Sequence, residues 1–232
     1  MSNVVSLHPH GPALPGPPDV VGIDPVWAGA RLPVRRVRRK HMLYRAGQPA
    51  TCVFVVRVGT FKTVLLSAQG EERVTGFQVK GDALGLEALD IRHHVCDAMA
   101  LDVGEVIEIP KSALREHRGE LVEVVADLMA QTFRREWEWK MALSLLDAEQ
   151  RVVHFLLDFA HRQAALGLGG DRILLRMTRA DLGSFLDLSL ESVTRALSRL
   201  DSAGLIRVAC RDVELLDEPA LGRVLAVASR RH

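Results

Sequence analysis

The chain has 232 residues, 48% hydrophobic and 25% charged, with a formal net charge of +1. That length supports one large or two small domains with a real core, and the near-neutral balance excludes a protein that grips nucleic acid over its whole surface. Cys52, Cys96 and Cys210 lie far apart with no CxxC or CxxxC spacing, which argues against a disulfide scaffold or zinc finger and for a reducing compartment.

No apolar run reaches the roughly 18 residues of a membrane span, and the first residues carry no basic-then-apolar leader. A cytoplasmic protein without a membrane partner is expected.

Residues 1–30 hold Pro9, Pro12, Pro15, Pro17, Pro18 and Pro25. Proline lacks the N–H and fixes φ, so this stretch reads as a flexible arm, and His8 and His10 as part of a solvated tail rather than a metal site. Residues 31–117 change to short β-branched runs between turn signals. "CVFVVRVG", "TFKTVLLSAQGEERVTGFQV", "DALGLEAL" and "VIEIP" read as strands of a small jelly roll, with a hairpin tip at "SAQGEE".

A proline-free stretch from Lys111 to Leu146 reads as helical, interrupted by Gly119, with a dimerisation helix expected over 118–146. Val122, Val125, Met129, Phe133, Glu136, Lys140 and Leu143 recur at spacings of three and four, the pattern of a seam for a partner helix. In a two-fold dimer, Glu136 of one chain can face Lys140 of the other. The plainer alternative turns both residues to water. "DAEQRVVHFLLDFAHRQ" opens the last segment, 147–232, as an amphipathic helix with Val152, Phe155, Leu156 and Phe159 on one side. "ALGLGGDR" lacks the Lys-Ser/Thr of a phosphate loop and reads as a linker.

"MTRADLGSFLDLSLESVTRALSRLDSAGLIRV" is the most informative stretch. Thr178 is an N-cap for a helix to about Leu186, with Asp181 in its first turn. Gly183 permits close approach by a second helix, and Asp187 tolerates the positive φ of a tight corner. Ser189 caps the second helix. Val193, Ala196, Leu197 and Leu200 form its apolar back, and Gly204 ends it. Leu205–Val208 and Val213–Leu216 form a two-strand wing.

The opposite face carries Glu191, Ser192, Thr194, Arg195 and Ser198. In a helix-turn-helix this end of the second helix enters the major groove, where glutamate accepts from cytosine, arginine grips guanine and a threonine methyl meets thymine. Glu191 and Arg195 can also brace each other across one turn. Arg179, Ser198 and Arg199 are placed for phosphates, which set register and carry no sequence information, and Thr178 joins the candidate DNA-binding residues.

The order of roll, long helix and winged helix-turn-helix over about residues 30–220 resembles the CRP/FNR family of bacterial transcription regulators, and within it the FNR branch. "SAQGEERVTGFQVKGDALGLEAL" carries the likeness in the roll. Leu175-Arg176-Met177-Thr178-Arg179-Ala180-Asp181-Leu182-Gly183, continued to Glu191 and Arg195, carries it in the DNA-binding motif. Arg176 stands where the branch has a hydroxyl residue.

The resemblance implies an α+β protein with a cyclic-nucleotide-binding-like β-roll (jelly-roll) domain. It also implies a homodimer on double-stranded DNA, reading TTGAT-like half-sites roughly 34 Å apart, with Thr194 helping to choose the half-site. The Gly70-Glu71-Glu72 tip resembles a contact for RNA polymerase, a solvated hairpin being the alternative.

Two departures bear on the signal. The branch holds an iron–sulfur cluster with cysteines in the arm and one in the roll, but here the arm has none and Ile107 takes the roll cysteine's place. Such a cluster needs about four thiolates, so none is expected. The cAMP-binding members carry Gly-Glu followed by Arg-Ser. Gly85-Leu86-Glu87 and "HHVCDAMA" supply no arginine for a cyclic phosphate.

Three readings stay open. The first is haem or an apolar effector near the roll, with His93 or His94 as an axial ligand against the alternative of exposed turn histidines. The second is a redox thiol at Cys96 or Cys52 against inert packing. The third is no effector. No cofactor is expected, and no nucleophile–base pairing, HExxH or phosphate loop suggests an enzyme. The sequence is thus read as a dimeric DNA-binding activator. The rival reading is a haem- or ligand-binding sensor whose main site is the roll.

Overall fold

The computed structural model describes residues 32–116, 119–165, 167 and 169–226; the arm with His8 and His10 lies outside them. The described chain packs as two compact units that divide between Trp137 and Glu138.

In the N-terminal unit, eight strands form two antiparallel sheets. They are β1 (Val34–Val37), β2 (Met42–Tyr44), β3 (Cys52–Val58), β4 (Phe61–Leu66), β5 (Glu72–Gln78), β6 (Ala83–Leu84), β7 (Asp97–Ala100) and β8 (Gly104–Pro110). The sheet orders are β1-β8-β3-β6 and β2-β7-β4-β5. Strand β3 is apolar at every position from Val53 to Val56 because both of its faces are covered. Phe54 and Val56 join Phe61, Ala98, Ala100 and Val106 in one buried cluster, while Val53 and Val55 pack with Ile107, Ile109, Leu121, Val125 and Leu128 in another.

The expected strand at "DALGLEAL" is shorter than read: only Ala83–Leu84 is extended, and Leu86–Ala88 form a 3-10 turn. Strands β1, β2 and β7 carry weak signals of their own. "VRRV" places two arginines in a strand whose acidic neighbours are supplied by β8, with Arg36 2.7 Å from Glu105.

Helix α1 (Lys111–Glu116) precedes α2 (Glu120–Leu145). Helix α2 has two apolar stripes. Leu121, Val125 and Leu128 face the roll, whereas Val122, Met129, Phe133 and Trp137 are exposed at 44, 46, 65 and 55%. The expected seam mixed the two. Val125 is buried in the protomer's own core, at 5% exposure, and cannot line a partner helix. Trp137, stacked on Phe133, continues the exposed stripe where Glu136 was expected. Glu136 and Lys140 are exposed and Leu143 is half-buried.

The C-terminal unit contains α3 (Ala148–Ala165), β9 (Arg172–Leu174), α4 (Arg179–Leu186), α5 (Leu190–Ser202), β10 (Ile206–Ala209), β11 (Asp212–Leu215) and α6 (Glu218–Ala226). Val152, Phe155, Leu156 and Phe159 of α3 are buried as their spacing predicts. The wing has three strands, not two: β9 pairs with β11 in the order β10-β11-β9. Three residues are too few for a period-2 signal.

Candidate nucleic-acid interface

Helix α4 starts with a reciprocal cap. The Thr178 hydroxyl accepts from the Asp181 N–H at 3.0 Å, and the Asp181 carboxylate accepts from the Thr178 N–H at 2.9 Å. This satisfies donors that a helix start leaves bare. The helix stops at Asp187, whose φ of 57° is left-handed. An aspartate tolerates that region better than most residues with a side chain. The Leu188 N–H returns to the Gly183 carbonyl at 2.9 Å. A Cβ at position 183 would meet the Leu188 carbonyl oxygen at 2.6 Å, so glycine is required there for steric reasons.

Ser189 then caps α5 by accepting from the Ser192 N–H at 3.1 Å. At the far end, the Gly204 N–H reaches the Asp201 carbonyl and the Leu205 N–H the Leu200 carbonyl. That paired closure ends a helix on a left-handed glycine, and Gly204 has φ 70°. Val193, Ala196, Leu197 and Leu200 are all buried.

The polar face of α5 is thereby presented outward. Glu191, Arg195, Ser198 and Arg199 are exposed; Ser192 and Thr194 are half-buried. Arg195 reaches the Ser192 hydroxyl at 3.1 Å rather than bracing Glu191. The Glu191 carboxyl is held below its usual range by its own backbone N–H, then by Ser189, and least by Arg195. It is therefore an ionised acceptor at neutral pH. The Thr194 hydroxyl donates to the Leu190 carbonyl at 2.8 Å, which commits its polar atom to the backbone. Arg199 lies 4.0 Å from Glu149 in an exposed pair that contributes little. Thr178 is exposed and Arg179 half-buried beside it.

The tip at Gly70, Glu71 and Glu72 is exposed at the turn of the β4–β5 hairpin, with the Ser67 N–H bonded to the Glu71 carbonyl. The two histidines of the roll separate. His93 is exposed, but His94 is 4% exposed, contrary to the turn-surface alternative. Its ring stacks on Tyr44 at 3.7 Å, and its Nδ1 lies 3.4 Å from a Glu87 oxygen. Cys96 Sγ lies 3.6 Å from that same oxygen.

Burial, helped by Glu87, pushes the Cys96 thiol up to about 12, far from a reactive thiolate. Burial lowers the His94 pKa against the opposing pull of Glu87. His154, against Trp139, is lowered by burial too. Between their depressed folded values and about 6.5, the unfolded chain binds protons that the folded chain refuses, so stability rises with pH in that window. Thermal melts should show a lower Tm as pH falls below about 6.5, and His154→Phe should flatten that dependence.

Comparison with known proteins agrees with this geometry. Residues 34–118 match the model of a cyclic nucleotide-binding domain, and residues 150–224 that of a Crp-like helix-turn-helix domain. The transcriptional regulatory protein btr of Bordetella pertussis is 34% identical over 197 residues, 84% of this chain and 81% of that protein. The chain belongs to the CRP/FNR family of transcription regulators. The transcriptional activator protein anr of Pseudomonas aeruginosa is another relative of this regulator, 32% identical over 186 residues, 79% of this chain and 76% of that one. The structure of FixK2 from Bradyrhizobium japonicum superposes with a TM-score of 0.73 at 28% identity, covering 83% of this chain and 96% of that one.

The protein is accordingly a transcriptional regulator with a helix-turn-helix DNA-binding domain, in a family that is not enzymatic. Among the described residues no helix is long and apolar enough to cross a membrane.

The regulator's structure adds two cations that sequence reasoning missed. Arg211 is exposed at the wing tip, beside Cys210 with its φ of 59°. Arg151 lies half-buried in the first turn of α3. No spacing rule marks it, because its partners are backbone carbonyls of other elements.

Proposed function

We propose that this regulator acts as a homodimer that activates transcription from a two-fold DNA site with TTGAT-like half-sites, without an iron–sulfur cluster and without cAMP. The observation that carries the reading is the outward face of α5, with Glu191 and Arg195 exposed and Ser192 and Thr194 half-buried between them, on a helix whose back is buried. Dimerisation is supported by the exposed Val122, Met129, Phe133 and Trp137 on one face of α2, since contiguous apolar surface of this kind marks an interface. A second copy is the occupant, because an isologous pairing covers the same stripe on both chains. Activation follows the relative named as an activator, with Gly70, Glu71 and Glu72 offered to RNA polymerase.

Three cysteines in the whole chain, against about four thiolates for a cluster, support the absence of iron–sulfur chemistry. The packing of His94 counts against that residue as a haem ligand. His94 is covered by Tyr44 and tied to Glu87, and His93 lies outside that packing. The burial of Cys96 beside Glu87, which raises its thiol pKa, counts against a redox role for that residue.

Selection of bound duplex from a random pool, with and without air, tests the reading. Wild-type protein should enrich one palindrome in both atmospheres. Arg195→Ala should cost about 1–3 kcal/mol on that duplex and relax one guanine position. Equal loss on every sequence would reduce Arg195 to a phosphate contact, and an air-dependent shift would restore redox chemistry to the account.

A further inference from the structure

We infer that Arg151 positions the recognition helix by tying the C-terminal end of α2 to the turn between α4 and α5. The inference rests on the reading of α5 as the DNA-reading helix and goes beyond it to what holds α5 in place.

Arg151 sits in the first turn of α3, half-buried. Its guanidinium spans two helix ends. Nε donates to the Leu146 carbonyl at 2.9 Å and Nη2 to the Leu143 carbonyl at 2.8 Å, both at the close of α2. Nη1 donates to the Leu186 carbonyl at 3.1 Å and approaches that of Asp187 at 3.5 Å, at the close of α4. Helix ends leave carbonyls unpaired and carry partial negative charge, so both ends favour a cation. The planar fork suits the arrangement because its N–H groups point in different directions from one rigid plane.

A second contact joins the same elements. Trp139, 8% exposed on α2, meets Phe185 of α4 edge-on at 4.7 Å. The last turns of α2 are thus fixed to α4 at Phe185, Leu186 and Asp187. Helix α5 starts at Leu190, after Asp187, Leu188 and Ser189. Asp187 is also the residue in the left-handed conformation that sets the corner. A displacement of the end of α2 must move these carbonyls or break the bonds. Arg151 therefore links the end of α2, at Leu143 and Leu146, to the direction of the reading face, without touching DNA.

The test compares full-length wild type with Arg151→Lys and Arg151→Gln. Lysine keeps the positive charge at both helix ends, but its donors radiate from one nitrogen and cannot span the two sets of carbonyls. Affinity is measured for the duplex that wild type enriches from a random pool and for a scrambled duplex of equal length. Oligomeric state is followed by sedimentation.

Arg151→Lys should weaken the enriched duplex by about 5- to 150-fold, the range of a coupling between sites. Affinity for the scrambled duplex and the oligomeric state should stay unchanged. Arg151→Gln should lose at least as much; if it fails to fold, the lysine variant carries the test. Wild-type affinity of Arg151→Lys for the enriched duplex overturns the inference and leaves the DNA reading intact. Equal loss on both duplexes also overturns it, because Arg151 would then serve the fold alone. A wild type that enriches no duplex removes the reading of α5 and this inference with it.

Discussion

In the proposed dimer, Phe133→Asp should separate the two copies and lower affinity for the proposed palindromic site by about 10²- to 10⁴-fold, the advantage that linking two binding modules confers. Phe133 is the most exposed member of the α2 stripe, at 65%, and it stacks on Trp137. In a two-fold pairing the substitution places two carboxylates against the partner's apolar surface, where each would be desolvated without a counter-charge. Binding to a single half-site should change little, since α5 is untouched. Sedimentation, with mobility shifts on the palindrome and on one half-site, separates the two effects. Val125→Asp provides the contrast. Val125 is packed among Val53, Val55, Ile107 and Leu128, so that variant should unfold the roll rather than release a partner. An unchanged sedimentation coefficient for Phe133→Asp would move the interface off α2.

Gly183→Ala should destabilise the C-terminal unit by about 3 kcal/mol, the upper part of the range for overpacking, and abolish selective DNA binding. The added methyl would stand 2.6 Å from the Leu188 carbonyl oxygen. A backbone oxygen cannot rotate away as a flexible side chain can, so the turn itself must move. The same turn holds the Leu188-to-Gly183 hydrogen bond and the left-handed Asp187. Both the stability and the aim of α5 depend on it. Denaturant titration gives the first quantity and the specific-to-scrambled affinity ratio the second. Retained selectivity would show that the corner tolerates displacement.

The helix-turn-helix was legible because its determinants are local. Thr178 and Asp181 cap each other three residues apart, Ser189 caps α5, and Gly204 closes it; each bond joins neighbours in sequence. The apolar back of α5 repeats at helical spacing and is buried as read. The strong β-branched runs of the roll were legible for the same reason. Short strands without a sequence-adjacent partner were not: β1, β2, β7 and β9 hold three or four residues each and pair with distant strands, whereas the equally short β10 and β11 form a local hairpin and were read. The Glu191–Arg195 brace, allowed by spacing, lost to a nearer hydroxyl at Ser192.

Local rules thus determined the caps, the buried back of α5 and, through them, the face open to DNA, because those forces act over three or four residues. Tertiary packing decided the rest. Spacing cannot tell which apolar stripe of α2 meets its own roll and which stays bare; the facing sheet chose Val125 for the interior. Nor could sequence bury His94 beneath Tyr44 or bring Arg151 to Leu186, 35 positions away. Those contacts depend on distant segments meeting in space, and an individual side chain carries no mark of a partner that only the folded chain supplies.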